Sequence, residues 1–267
     1  MGSVLTIASI VTILVPVRAR RLAQKNNAPG GIAAHRNWEF VAVGLILLGL
    51  LLMGMQSDVL PMLTVQGGLR TLALFVAIGW LVLRRKEKMA AAGMILLPMA
   101  AVLLVSSLLE PPHAVATSVG SPFFTTHVAL VFLGLGGFAL SFALSTLFLI
   151  QRRRLKRKQF EDIGQLPSME TLDLLNFRTQ CLGFAALTAG VAMGVFLLTQ
   201  SASGRGLGDI TVWGTCAVWF WYAAGLHARV VLGWRGRTAA VFGVVGFGSL
   251  GAVLTVVTVV FGGWHGS

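Results

Sequence analysis

The chain has 267 residues, of which 56% are hydrophobic and 11% charged, with 32 glycines, two cysteines and a net charge of +12. Soluble domains carry about 25% charged residues, so too few polar side chains are present to cover a globule; a water-soluble enzyme is excluded. Disorder and a disulfide-stapled secreted domain are excluded by the same composition and by the cysteine count. What remains is an all-α, polytopic transmembrane helix bundle forming a single domain over 1–267, consistent with a mean hydropathy of +0.82. In such a protein excess Arg and Lys report topology, so the charge does not imply a nucleic-acid partner.

A bilayer core needs about 20 apolar residues per helix. Eight runs qualify or nearly qualify: 2–17, 39–56, 67–83, 89–109, 126–150, 180–200, 211–232 and 239–262. The first is short, and it lacks the basic n-region of a cleavable signal. Four spans fall in an N-terminal half, 1–120, and four in a C-terminal half, 121–267. If the connection from Arg18 to Arg36 is cytoplasmic, alternation puts 84–88, 151–179 and 229–238 on the same side. Those four connections hold 19 of the 21 basic residues, leaving only Arg70 and Arg205 outside them. The bias predicts about eight spans with both termini extracytoplasmic.

In the long basic connection, QRRRLKRKQFED is a polybasic stretch beside a lipid surface. The following LPSMETLDLLNFR has partly helical apolar spacing and is expected to lie in the interface before turning into the next span. Glycines within the spans, among them Gly136, Gly137, Gly183, Gly243, Gly246, Gly248 and Gly251, predict close helix approach. Cys181 and Cys216 sit in separate apolar runs and read as small buried hydrophobes.

This topology makes the histidines informative. His35 lies in a basic connection and His113 follows Pro111-Pro112 in an outer one. His127 opens the fifth span at its outer end, and His265 closes the eighth at the same depth and face. Two imidazoles from different helices can hold a haem iron axially, although histidines at span ends also serve as interfacial anchors. His227, two residues before Arg229, is expected to face the bundle interior or to reach the inner interface. Trp213, Trp219 and Trp221 fit either a wall for a flat apolar ligand or core packing. Trp264 fits an aromatic belt, and Asp209 fits a cap on the seventh helix. Glu39 is the only charge expected near a span interior, which argues against proton-coupled transport. No phosphate-cradling loop, HExxH or Ser/His/Asp set is present.

Several ordered segments resemble the cytochrome c assembly family, which includes CcsA/ResC haem-handling proteins and HemX-type proteins. They are SPFFTTHVALVFLGLGGFALSFALSTLFLIQRRRLKRK, LPSMETLDLLNFRTQCLGFAALTAGVAMG, AVWFWYAAGLHARVVLGWRGRTAAVFGVVGF and the terminal GGWHGS, together covering 121–267. The resemblance implies that His127 and His265 are outer axial ligands of a non-covalent b-type haem. It links His227 to a second, transmembrane haem site, and adds Trp213, Trp264 and Asp209 as haem-contacting residues. It also implies a bacterial inner-membrane location. In CcsA-type proteins a tryptophan-rich outer segment, WGxxWxWDPKE, presents haem. Here SASGRGLGDITVWGTC stands in its place and keeps only Asp209 and Trp213. This departure points to the HemX-like branch, with a role in c-type cytochrome biogenesis or haem metabolism. Any synthase activity would need a CcsB/ResB-like partner and apocytochrome c, the chain alone not being expected to be an enzyme. The alternative is a non-enzymatic membrane subunit that stabilises or regulates a partner complex without haem.

Overall fold

The computed structural model describes residues 2–25, 38–56, 60–86, 88–109, 122–158, 167–200 and 210–262. These form eight α-helices: α1 (Gly2–Lys25), α2 (Trp38–Gln56), α3 (Val65–Leu83), α4 (Gly93–Leu109), α5 (Pro122–Lys156), α6 (Met169–Gln200), α7 (Ile210–Val231) and α8 (Arg237–Gly262). Each predicted apolar run falls on one of them. Among the described residues five segments are long and apolar enough to cross a membrane: Trp38–Gln56, Val65–Leu83, Met89–Leu109, Pro122–Lys156 and Met169–Thr199. Apolar helices are the expected outcome, because inside hydrocarbon every backbone N–H and C=O must be paired within its own segment. The protein is an integral, multi-pass membrane protein. It divides into two compact units, Met1–Gly136 and Gly137–Ser267.

In the first unit α1 packs on α2 and α4, and α3 packs on α2 and α4, giving a closed ring of four helices. Its core is small and apolar: Ala73, Val76, Leu96, Ala100 and Leu104 are fully buried. The buried hydroxyls of α1 are satisfied locally, Ser9 Oγ donating to the Leu5 carbonyl at 2.7 Å and Thr12 Oγ1 to that of Ala8 at 2.9 Å. A short 3-10 turn, Pro61–Leu63, leads into α3, whose N-cap Thr64 accepts from the Gly67 amide at 3.0 Å. Gly67 has to be glycine, since a Cβ there would sit 1.9 Å from the Pro61 carbonyl oxygen. At the other end of this bundle Glu39, buried at the start of α2, is ion-paired with Arg84 at the end of α3, and Arg84 also lies 5.2 Å above the Phe40 ring. The one charge expected near a span interior is thus held by a partner.

In the second unit close approach dominates. A Cβ on Gly137 of α5 would lie 2.8 Å from Gly183 Cα on α6. Between α7 and α8 the glycines interlock with aromatics: a Cβ on Gly225 would meet Phe242 at 2.5 Å, and one on Gly246 would meet Trp221 Nε1 at 2.1 Å. The glycine-rich spans therefore pack as the sequence implies at these sites, whereas Gly248 and Gly251 face open space.

The interfacial segment is a correction. Residues 169–178 do not turn along a surface; they are the first turns of α6, unbroken to Gln200. Ser168 starts the helix, its Oγ accepting from the Thr171 amide at 3.1 Å. Leu172, Asn176, Gln180, Gly183, Leu187 and Gly190 then form one buried stripe at spacings of three and four, continuous with the span. α5 likewise runs on through the basic stretch to Lys156. At 35 residues it is about 52 Å long, well beyond a 30 Å hydrocarbon core.

Gly246→Val is expected to lower stability by about 2 kcal/mol through overpacking against Trp221, while Gly248→Ala leaves it unchanged. Thermal unfolding of the detergent-purified variants checks both.

Candidate functional site

His127 lies in the second turn of α5, within the first unit, on a helix opened by Pro122 and braced where Thr126 Oγ1 donates to the Pro122 carbonyl at 2.8 Å. Its imidazole is half-buried, with the Phe124 ring tilted beside it at 6.2 Å. An aromatic neighbour and partial access suit a nitrogen ligand for a flat metal macrocycle. His35, His113, Asp209, Trp264 and His265 lie outside the described residues.

Of the two placements expected for His227, the bundle interior is not the one observed. The histidine is exposed on α7, because the packed face of that helix is taken by Tyr222, Gly225 and Arg229. Five residues after Tyr222 and two before Arg229, His227 falls about 140° to 160° from both on the helical wheel. The three tryptophans do not form one wall either. Trp213 is 65% exposed. Trp219 turns to α6, donating to Thr188 Oγ1 at 2.9 Å and lying 5.5 Å from the Phe184 ring. Trp221 turns to α8 and stacks on Phe242 at 4.4 Å. Cys181 and Cys216 are unpaired and half-buried rather than buried. Among the described residues no group of three His, Cys, Asp or Glu side chains could hold a metal ion.

Three features escaped the sequence reading. The first is a clamp at the basic end of the second unit. Arg229, 8% exposed, donates to both carboxylate oxygens of Asp173 at 3.2 and 2.6 Å and to the Asp173 carbonyl at 3.1 Å. Its guanidinium also lies 4.7 Å over the Phe177 ring. The same carboxylate accepts the Gly236 amide at 3.0 Å. The GWRG turn between α7 and α8 is closed by Gly233, at φ +69°, with the Trp234 amide returning to the Ala228 carbonyl at 3.2 Å. One acidic side chain on α6 thus fixes the end of α7, the turn and the start of α8.

The second is a buried polar layer in the same unit. Ser141 Oγ donates to Asn176 Oδ1 at 2.6 Å. A Cβ on Gly243 would lie 2.9 Å from Ser145 Oγ and 3.2 Å from Gln180 Nε2, so glycine leaves room for this layer. Tyr222, 2% exposed, stacks flat on Phe138 at 3.5 Å with an interplanar angle of 2°. Asn176 and Gln180, four residues apart and so on one helix face, were its visible signal. The third is Arg70, 3% exposed inside α3, which donates to Ser107 Oγ at 3.3 Å and contacts Met53 Sδ at 3.8 Å. It is a buried charge within a predicted span, where the sequence reading allowed only Glu39.

A family model described as Cytochrome C assembly protein matches residues 62–265. The chain belongs to the cytochrome c assembly protein family. It is similar to proteins named "Cytochrome c biogenesis protein CcsA" from three cyanobacteria. Identity is 37% over 86 residues with Thermosynechococcus vestitus, covering 32% of this chain and 27% of that one. It is 36% over 84 residues with Synechococcus elongatus (32% and 26%), and 37% over 81 residues with Gloeobacter violaceus (30% and 24%). The match thus spans about a quarter of the length of these relatives. No solved structure matches.

Asp173→Ala leaves Arg229 buried without a counter-ion and is expected to cost about 3 kcal/mol. In the Asp173→Ala/Arg229→Met double variant most of that loss is regained, as thermal unfolding of both proteins would register. A double variant no more stable than the single one refutes the pairing.

Proposed function

We propose that this protein handles haem in the bacterial inner membrane, in c-type cytochrome biogenesis or haem metabolism, through eight spans with both termini extracytoplasmic. The observation that carries the reading is the family match over 62–265, which contains His127, His227 and His265. The relatives bear names in cytochrome c biogenesis. The segregation of basic residues supports the sidedness, since it sets the N-terminal end of α5 on the outer face.

His127 and His265 are the axial ligands in this reading. Haem held there by His127 and His265 would supply an iron centre that takes imidazole nitrogen as a ligand. His127 fits such a group: it is half-buried beside an aromatic ring and accessible from one end of its helix. Exposed Trp213 offers an aromatic surface to a porphyrin edge, and Trp264 and Asp209 join it in this reading as candidate haem contacts. His227, exposed on α7, offers a further imidazole from the bundle's outer surface rather than from its interior. The residues 201–216 lack the upstream tryptophans of the haem-presenting segment, which supports the HemX-like branch over haem presentation. Attachment of haem to apocytochrome c would then depend on a CcsB/ResB-like partner.

The purified protein, reconstituted with haemin and reduced, is expected to show a bis-imidazole Soret and α band. His127→Ala and His265→Ala each lose that signature, and His227→Ala keeps it. A spectrum unchanged in both outer variants, or no haem retained by the wild-type protein, overturns the assignment.

A further inference from the structure

At the clamped turn of the second unit, α7 and α8 enclose a groove of about 370 Å³. Its walls are Trp221, Trp234, Val241, Phe242 and Val245, and Arg237 stands in it as the single charged residue. Phe242 forms the floor, stacked on Trp221 at 4.4 Å and met edge-on by Trp234 at 6.1 Å. The α8 residues that line it fall at 238, 241, 242 and 245, one face of the helix over about 10 Å. The groove is thus aromatic and aliphatic along α8 and cationic at the end nearest the turn.

The charges around this end leave Arg237 available. Asp173 is engaged by Arg229 and the Gly236 amide. Glu170 and Arg235 line a neighbouring cleft together with Asp173. Arg237 is exposed, and among the described residues no ion pair or hydrogen bond holds its guanidinium. The Thr238 hydroxyl lines the groove one residue further on. Along the groove Val241 is 39% exposed and Val245 49%, so it opens sideways from an apolar helix rather than into the core.

A soluble anion would use the guanidinium and leave the aromatic trough empty. A neutral lipid or apolar peptide would use the trough and leave Arg237 unmatched. An amphiphile with an anionic head and a hydrocarbon tail uses both. We propose that this groove binds an anionic phospholipid of the leaflet that meets the basic helix ends. Its phosphate sits on Arg237 and the Thr238 hydroxyl, the Trp234 indole lies at the level of the glycerol, and one acyl chain follows Val241, Phe242 and Val245. The polybasic end of α5 attracts the same leaflet by charge alone; the groove adds a fixed shape that selects a bound molecule from it.

Quenching of tryptophan fluorescence by brominated lipid reads this directly, because bromine quenches only indoles it touches. The full chain is reconstituted in phosphatidylcholine vesicles containing a graded fraction of dibrominated phosphatidylglycerol or dibrominated phosphatidylcholine. The expected result is an about fivefold preference of the quenched site for the phosphatidylglycerol, the factor conferred by one basic contact. Trp234→Phe reduces the quenchable amplitude. Arg237→Gln abolishes the preference, Arg237→Lys retains it and so reports an intact fold, and Arg153→Gln on α5 retains it too. Equal affinity for the two lipids, or a preference that survives Arg237→Gln, overturns the proposal. Relief of quenching by millimolar inorganic phosphate would reassign Arg237 to a soluble anion, and relief by haemin to a tetrapyrrole; either result also overturns it.

Discussion

A charge or an unpaired polar group placed in hydrocarbon is costly, and every feature of this protein answers to that constraint. Backbone groups are satisfied by making the chain helical. Side-chain charges are satisfied in two ways: most are gathered at helix ends, and the few that enter the packed regions are held by a partner. Glu39 is met by Arg84, and Arg229 by Asp173. Arg70 is the exception in kind, with neutral partners, Ser107 and Met53, in place of a carboxylate.

The Asp173 clamp turns this requirement into architecture. A buried ion pair rarely adds much net stability, but removing one partner is severe, so such a pair specifies geometry more than it strengthens the fold. Here the carboxylate also takes the amide of Gly236, while Gly233 ends α7 in the left-handed region. The turn is thereby locked to the first turns of α6, and the groove beside Arg237 inherits its shape from that lock. The glycine contacts of α7 and α8 with Phe242 and Trp221 set the groove's depth in the same way.

Helix positions were legible in the sequence because hydrophobic runs of bilayer length leave little choice of secondary structure. The close contacts at Gly137 and Gly246 were legible as small residues in spans. The length of α6 was not. Its partly helical apolar spacing made 169–178 read as an interfacial segment, yet Asn176 is buried and Asp173 half-buried against partners more than 30 positions away. The orientation of His227 was hidden for a related reason: burial on α7 is decided by which face carries Tyr222 and Arg229, and Arg229 is buried only because Asp173 receives it. The three tryptophans of α7 diverge because each answers to a different neighbour, Thr188 on α6 or Phe242 on α8. His127 and His265 were singled out as candidate ligands by their predicted depth and by the family resemblance together, since no local spacing distinguishes an axial ligand from an interfacial histidine.

The account rests on basic helix ends gathering on the cytoplasmic side while the His127 end of α5 faces out. A single helix can decide this. With Cys181 and Cys216 replaced by serine, one cysteine is placed at Phe123 or at Arg157, the two exposed ends of α5. Intact cells are then treated with a membrane-impermeant maleimide. The account predicts labelling at position 123 in intact cells and at position 157 only after the membrane is opened. Labelling of position 157 from outside, with 123 protected, would contradict it.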